Sequence, residues 1–148
     1  MPQSHQYELN ITRFFDVPRK RVFNAWLDKQ DVLQWQGPNS HPIVSTESDV
    51  REGGAWHSVL QDKMTGEKLF YGGIYKIIQE PELLVMNFAW EDDKGNPGLK
   101  TIISIRFEEV DNKTKMHFHQ AMLESIESRD SHGEGWRSAF DRLEKLLK

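Results

Sequence analysis

Alternation of hydrophobic and polar residues near the N-terminus predicts that the chain opens with a β-strand. Between Tyr7 and Phe15 apolar residues recur at every second position, which is the period of a half-buried strand. Pro18 then suits a first helical turn, and apolar residues at helical spacing predict an amphipathic helix over about 18–28. A second short helix is expected over 30–35, because a Gly-Pro-Asn break follows it.

The middle of the chain reads as a series of strands separated by turns. Clusters of Gly, Pro, Asn and Asp recur at regular intervals, and each interval is rich in aliphatic and aromatic residues. Short polar connections of this kind favour hairpins, so we expect an antiparallel meander of seven strands when the first strand is included. The six further strands are expected at about 42–50, 54–62, 67–78, 83–91, 99–109 and 114–122.

The C-terminal segment predicts a long amphipathic helix. Ser131 and Glu134 have the spacing of a capping box, which would start the helix at Ser131. Apolar residues follow at i, i+4, i+7 and i+11, so one face of the helix must pack on the sheet. These residues are Trp136, Phe140, Leu143 and Leu147. The order of elements, one strand, two helices, six strands and a helix, indicates an α+β fold.

Hairpin pairing predicts which side chains share a face of the sheet. A turn centred at Met64-Thr65 places Ser58 opposite Tyr71 and Trp56 opposite Gly73. A turn centred at Pro81 places Tyr75 opposite Met86, Ile77 opposite Leu84 and Tyr71 opposite Trp90. The same face is expected to continue through Thr101, Ile103, Ile105, Phe107, Met116, Phe118, Gln120 and Met122.

This aromatic face predicts a ligand-binding cavity. One helix about 10 Å wide cannot cover a twisted seven-stranded sheet, so a concave apolar space should remain between them. Ser58 and Gln120 are expected to serve as polar anchors within it. The full set of predicted lining residues is Trp35, Trp56, Ser58, Tyr71, Tyr75, Phe88, Trp90, Gln120, Trp136 and Phe140. A packed core is the competing interpretation, and a void of about 300 Å³ or more would favour ligand binding.

Composition narrows the class of protein. With 148 residues and 37% hydrophobic residues, the sequence suits a single domain over 1–148. The net charge of −4 argues against a nucleic-acid partner. No apolar run approaches the roughly 18 residues of a membrane span, and the first five residues do not resemble a secretory signal. We therefore expect a cytoplasmic protein, and the absence of cysteine permits a reducing compartment.

Six short motifs resemble the heat-shock-protein-90 ATPase activator homologue-like family of the START-like (SRPBCC) superfamily. They are P-R-K-R-V-F-N-A-W from Pro18, L-Q-W-Q-G-P from Leu33, R-E-G-G-A-W from Arg51, G-I-Y from Gly73, P-E-L-L from Pro81 and H-G-E-G-W from His132. The sequence differs at Gln36, where the family often carries a second tryptophan. The resemblance covers about residues 7–148 and implies a helix-grip fold, a curved antiparallel sheet wrapped around a long C-terminal helix.

The resemblance also implies a function, since members of the superfamily bind lipids, polyketides and other hydrophobic molecules between sheet and helix. We therefore expect a cofactor-free protein that binds a small hydrophobic or aromatic molecule. One alternative is a polyketide cyclase or aromatase in which Tyr71, Tyr75 and Gln120 polarise a carbonyl group. The other is a protein-interaction module, like a chaperone co-factor, presenting the outer sheet face. Homodimer formation is left open.

Two histidines at alternate positions of one strand require a separate interpretation. His117 and His119 point to the same side, which the pairing places on the outer face beside His57. Such a pair can contribute two ligands to a metal, but a third carboxylate ligand is not evident. Solvated histidines on an open sheet are the favoured interpretation, and no metal site is predicted.

Overall fold

The computed structural model describes residues 7–148, so the N-terminal segment used in the signal-peptide argument lies outside it. Within that range no helix is long and apolar enough to cross a membrane. The elements follow the predicted order. They are β1 (Tyr7–Phe15), α1 (Arg19–Leu27), α2 (Lys29–Trp35), β2 (Ile43–Ser48), β3 (Ala55–Gln61), β4 (Lys68–Gln79), β5 (Leu83–Glu91), β6 (Thr101–Val110), β7 (Lys113–Leu123) and α3 (Ile126–Leu146).

The seven strands form one antiparallel sheet in the order β1-β7-β6-β5-β4-β3-β2. Consecutive strands from β2 to β7 are neighbours, as expected when short turns connect them. The first strand closes the sheet against the last one. This arrangement confirms the predicted α+β helix-grip fold with a long C-terminal helix.

The predicted strand register is correct through most of the sheet but fails near the end of β4. Ser58 pairs with Tyr71 and Tyr75 with Met86, as expected. The predicted pair Ile77–Leu84 is wrong, because Leu84 lies opposite Ile78 and Ile77 lies opposite Val85. A bulge between Tyr75 and Ile77 adds one residue to β4, and such a bulge moves every later side chain to the other face. It is Ile78 that packs against the core.

A second irregularity, at the end of β7, corrects the prediction that Met122 faces inward. Met122 has φ +72° and is exposed, whereas Leu123 is buried. The pairing with β1 shifts at the same point, because Leu9 lies opposite Gln120 and Tyr7 opposite Leu123. The left-handed conformation costs about 1–2 kcal/mol, and burying Leu123 returns about 1.5–3 kcal/mol. The gain from burying Leu123 therefore outweighs the cost of the left-handed conformation at Met122.

The long helix begins earlier than predicted. Ser125 is its N-cap, and the Ser125 Oγ accepts a hydrogen bond from the backbone N–H of Ser128 at 3.0 Å. The capping box predicted at Ser131 is therefore wrong, since that residue lies inside α3. Two nearby glycines lower the helix propensity and obscure the true start in the sequence. One of them, Gly133, is buried against β1, where a Cβ atom would lie 3.2 Å from the Cδ1 of Leu9.

An aromatic cluster fills the centre of the space between the sheet and the helices. The short helices α1 and α2 contribute Trp26 and Trp35, whose ring centroids lie 4.8 Å apart. The strand residue Phe118 and the helix residue Trp136 approach to 4.9 Å, and Phe140 contacts members of both pairs. The prediction considered only α3 as a cover for the sheet. The two short helices also lie on that side, so the centre of the fold is packed rather than hollow.

We expect Phe140→Ala to lower the free energy of unfolding by about 3–5 kcal/mol, because the ring is fully buried and its loss leaves a cavity. The matched control is Phe14→Ala, since Phe14 lies on the outer face, is 63% exposed and has its ring centroid 5.8 Å from the Lys115 ammonium. That control should cost less than about 1 kcal/mol. Urea unfolding followed by far-UV circular dichroism measures both, and equal losses would contradict the assigned core.

Replacing the N-cap tests where α3 begins. Ser125→Ala should lower the free energy of unfolding by about 1 kcal/mol, because the N–H of Ser128 loses its acceptor. Ser131→Ala is the control, and it should leave stability unchanged or raise it slightly, since alanine is the better helix former. Thermal unfolding of the two variants side by side distinguishes them. A larger loss for Ser131→Ala would instead support the predicted capping box.

Candidate functional site

An open groove lies beside the aromatic cluster, between the inner face of β3–β5 and the N-terminal half of α3. Its volume is about 520 Å³, within the roughly 300–1,000 Å³ range of small-molecule sites. The loop between α2 and β2 forms the remaining wall. The lining residues are Gly37, Pro38, Ser40, His41, Leu60, Leu69, Tyr71, Phe88, Trp90, Glu124, Ser128, Ser131, His132, Glu134, Gly135, Trp136 and Ala139.

The floor of the groove is apolar and aromatic. Leu60 and Leu69 are directly paired across β3 and β4, and Tyr71 is paired with Trp90 across β4 and β5. The rings of Phe88 and Trp90 lie 5.3 Å apart in an edge-to-face arrangement. Trp90 is 41% exposed although it belongs to the inner face. An indole in this position offers apolar area that a bound molecule could cover.

A glycine brings the α2–β2 loop close to the floor. Gly37 has φ +88°, a backbone conformation that glycine adopts without the steric cost of a Cβ atom. A Cβ here would also lie 2.5 Å from the carbonyl oxygen of His41 and 2.9 Å from the Cδ2 of Leu60. Any larger residue at Gly37 would therefore push the wall of the groove away from its floor.

His132 joins the helix to the exposed tryptophan at the rim. The Trp90 indole N–H donates to the Nε2 of His132 at 3.3 Å, and the His132 ring lies 5.5 Å from the ring of Phe88. Burial among these rings lowers the pKa of His132 from 6.5 to about 4. At neutral pH the imidazole is therefore uncharged, and its Nε2 can accept the hydrogen bond from Trp90.

A buried polar network holds the inner end of the groove. Gln120 is fully buried, and its Oε1 accepts a hydrogen bond from the Trp136 indole N–H at 3.1 Å. Its Nε2 donates to the Oγ1 of Thr101 at 2.9 Å, and that hydroxyl donates to the carbonyl oxygen of Phe88 at 2.9 Å. The chain of bonds fixes Trp136 against the strands, because each buried polar group has a partner within the protein.

Tyr71 and Ser58, two further predicted site residues, also bond within the protein. The Tyr71 hydroxyl donates to the Oε1 of Gln36 at 2.7 Å, and burial raises the pKa of that hydroxyl above its usual range. The Ser58 Oγ lies 2.9 Å from the Oγ1 of Thr46. Gln36 thus holds Tyr71 in place from the end of α2.

The ten predicted site residues separate into three locations. Four of them line the groove: Tyr71, Phe88, Trp90 and Trp136. Trp136 also borders a second, smaller cavity of about 20 Å³, enough for about one water molecule, together with Trp56, Ser58 and Tyr75. Trp35, Gln120 and Phe140 are fully buried and border neither of these spaces.

The outer face of the sheet carries three histidines that each contact a carboxylate. His117 Nε2 lies 3.1 Å from the Oε1 of Glu108, and His57 Nδ1 lies 3.3 Å from the Oε1 of Glu91. His119 contacts Glu8 in the same way. The prediction that His57 lies beside the other two is wrong, since β3 and β7 are four strand spacings apart, about 19 Å. They share a face but form no cluster.

Thirteen of the seventeen groove residues were not among the predicted site residues, and His132, Ser40 and His41 are three of them. His132 appeared only within a family motif, and its contact with Trp90 joins α3 to β5. Ser40 and His41 lie in a loop whose sequence carries no periodic signal. The expected hairpin between β2 and β3 was a signal that could have found them. Because Ile43 pairs with Leu60, the residues just before Ile43 must lie next to the β3–β4 turn.

Comparison of the sequence with known protein families finds a match over most of the chain. A sequence model described as "Activator of Hsp90 ATPase homolog 1-like protein" matches residues 16–148. The chain belongs to this family. The match confirms the resemblance carried by the six motifs. Among curated proteins no match was found.

Solved structures share the fold at low sequence identity. A protein from Chromobacterium violaceum is 24% identical, with a TM-score of 0.85 over 95% of this chain and 96% of that one. The AHSA1 protein from Silicibacter pomeroyi is also 24% identical, with a TM-score of 0.83 over 95% and 97%. A protein from Mycobacterium smegmatis is 23% identical, with a TM-score of 0.82 over 99% and 93%. These similarities establish the architecture of this member of the family.

The lowered pKa of His132 predicts a pH-dependent stability. In the unfolded chain the imidazole binds a proton below pH 6.5, whereas in the folded chain it does so only near pH 4. As the pH falls between these values, the unfolded state binds more protons, so the free energy of unfolding falls by up to about 3 kcal/mol. His132→Gln keeps an acceptor for Trp90 but does not titrate. Urea unfolding from pH 7 to pH 4 should show a steeper loss for the wild type, and parallel curves would contradict the assignment.

Proposed function

We propose that the protein binds a small hydrophobic or aromatic molecule in the groove between β3–β5 and α3. The observation that carries this proposal is a groove of about 520 Å³ whose floor leaves Trp90 41% exposed. Removing apolar surface from water is favourable by about 25 cal/mol for each Å² that is covered. A ligand lying on Leu69, Phe88 and Trp90 would provide that cover.

The charges around the groove narrow the class of ligand. Glu124 and Glu134 both line the groove, one just before α3 and the other within it. His132 is uncharged at neutral pH, so it adds no positive charge to balance them. Like charges repel, and an anionic ligand would also lose hydration on entering the groove. The proposed ligand is therefore an uncharged lipid, polyketide or aromatic compound, and the absence of cysteine is compatible with its binding in the cytoplasm.

The hydrogen bonds of the polar residues favour binding over the cyclase or aromatase alternative. A tyrosine hydroxyl has one proton to donate, and the Tyr71 hydroxyl donates it to Gln36. Both ends of the Gln120 amide are also engaged, by Trp136 and Thr101. These groups would have to give up existing bonds in order to polarise a substrate carbonyl. The interaction-module alternative rests on the outer face, whose histidines already contact carboxylates.

A leucine at Gly135 tests the groove directly. Gly135 lines the groove, and a Cβ atom there would meet nothing within 4 Å, so the new side chain occupies space that a ligand would need. Titration with the neutral naphthalene dye Prodan should show binding to the wild type that weakens by about tenfold or more in Gly135→Leu. The variant should remain at least as stable as the wild type, because leucine exceeds glycine in helix propensity by nearly 1 kcal/mol.

Lys145→Leu is the matched control for this experiment. It adds the same side chain to an exposed position of α3 that does not line the groove, about 15 Å further along the helix. Its affinity for the dye should equal that of the wild type. Failure of the wild type to bind the dye, or equal binding by all three proteins, would overturn the proposed site.

A further inference from the structure

One wall of the groove contains a serine, a histidine and an aspartate joined in sequence by short contacts. The Ser40 Oγ lies 2.7 Å from the Nδ1 of His41. The Nε2 of the same imidazole lies 3.2 Å from the Oδ2 of Asp62. Ser40 and His41 both line the groove, and the side chains of His41 and Asp62 are only 24% and 22% exposed.

Backbone hydrogen bonds hold Asp62 in position for this contact. Its Oδ1 accepts from the N–H groups of Met64 at 2.7 Å and Thr65 at 3.2 Å, which leaves Oδ2 for His41. These two backbone bonds, together with the nearby His41, lower the pKa of the Asp62 carboxyl below 3.8. Asp62 is therefore ionised at neutral pH and can only accept hydrogen bonds.

Two strand-like hydrogen bonds tie the serine loop to the same turn. The N–H of Lys63 donates to the carbonyl oxygen of Ser40, and the N–H of Gln61 donates to that of Pro42, both at 3.1 Å. The loop and the β3–β4 turn are thus connected through the backbone as well as through the side chains. This double connection keeps the imidazole between the hydroxyl and the carboxylate.

The ionised carboxylate determines the tautomer of the imidazole. The negative charge of Asp62, 3.2 Å from the Nε2 of His41, favours the tautomer that carries its proton on Nε2, and in the neutral ring the Nδ1 is then an acceptor. The Ser40 hydroxyl donates to that Nδ1. The order hydroxyl, imidazole, carboxylate is that of a serine nucleophile with a general base and an orienting acid. In the serine protease triad the serine bonds to Nε2 and the aspartate to Nδ1, whereas here Ser40 contacts Nδ1 and Asp62 contacts Nε2. Ser40 and His41 are also adjacent in sequence.

We propose that Ser40 is the nucleophile of an esterase activity directed at esters of apolar carboxylic acids, with His41 as general base and Asp62 as positioning residue. The acyl chain would extend over Leu60 and Leu69, which belong to the same groove. Only this preference for long acyl chains rests on the proposed ligand groove. The hydrolytic chemistry depends on the three side chains alone.

Each step of the proposed reaction balances. The Ser40 Oγ forms a bond to the carbonyl carbon, its proton passes to the Nδ1 of His41, and the carbonyl oxygen takes the electron pair of the opened π bond. Collapse of this intermediate breaks the bond to the alcohol oxygen, which leaves with the proton from His41. Water then attacks the acyl-serine, with His41 taking and returning a proton in the same way. The products are the carboxylic acid, the alcohol and the free serine.

The exposure of Ser40 restricts the expected substrates. Ser40 lies in an exposed loop, so water is available to solvate the negative charge of the intermediate. Solvation by water is weaker catalysis than a set of fixed donors in a dry site. The activity should therefore be seen with activated esters, such as p-nitrophenyl esters, and with fluorophosphonates that react with activated serines.

The decisive experiment is covalent labelling of the full chain with a fluorophosphonate bearing a rhodamine, followed by peptide mass spectrometry. The label should be found on Ser40, and Ser40→Ala and His41→Ala should each reduce labelling by about 100-fold or more. Ser45→Ala is the matched control, since Ser45 is an exposed serine of β2 outside the groove, and it should label like the wild type. Thermal unfolding of every variant checks that each one is folded.

Hydrolysis of p-nitrophenyl acetate and p-nitrophenyl octanoate separates this proposal from the proposed ligand groove. Asp62→Asn should lower kcat while leaving KM nearly unchanged, because Asp62 orients His41 without touching the substrate. Gly135→Leu should reduce hydrolysis of the octanoate ester only. If Ser40→Ala abolishes hydrolysis of both esters while Gly135→Leu reduces hydrolysis of both to the same extent, the proposed ligand groove is rejected but Ser40 is retained as the nucleophile. Absence of labelling, or a label on another residue, would overturn the esterase proposal.

Discussion

The packing of large aromatic rings between the sheet and three helices is the constraint on which the rest of the structure depends. Trp26 from α1 and Trp35 from α2 meet Phe118 and Phe140 in a cluster that fills the middle of the fold. Interiors are packed about as densely as organic crystals, so rings of this size leave little unoccupied volume where they meet. The groove therefore lies beside the cluster, over β3–β5, whereas α1 packs on β6 and β7.

The same cluster explains why the site is both apolar and rigid at its inner end. Trp136 contacts the cluster through Phe118 and also forms the wall of the groove. Its indole N–H is fixed by the buried amide of Gln120, and an unpartnered amide at that depth would cost about 1–3 kcal/mol. The network thus stabilises a single position of Trp136. The hydrogen bonds that stabilise the fold therefore also fix one wall of the groove.

The outer wall of the groove is built differently. Gly37 allows the loop after α2 to approach Leu60, and backbone bonds join this loop to the β3–β4 turn. This junction brings Ser40 and His41 next to Asp62, 21 residues after His41 in the chain. Motif searches for nucleophiles depend on local spacing, whereas here the orienting carboxylate comes from a neighbouring hairpin. The loop that forms one wall of the groove thus also carries the contacts of Ser40 and His41 with each other and with Asp62.

Local periodicity was sufficient to predict the strands, the two short helices and the inner face of the sheet, because alternation fixes which side chains of a strand point together. It predicted the pairs Ser58–Tyr71 and Tyr75–Met86 for the same reason. It could not predict the bulge before Ile77 or the turned backbone at Met122, since each depends on which residue a distant element buries.

The family and the helix-grip architecture followed from the amino-acid sequence by itself, through short motifs and the order of elements. Tertiary structure alone decided where open volume remains, because that depends on how Trp26 and Trp35 pack against α3. It also decided the start of α3, where burial of Gly133 against Leu9 outweighs a weak local propensity. Spacing along a chain determines faces, but volumes and long-range contacts arise only when those faces meet.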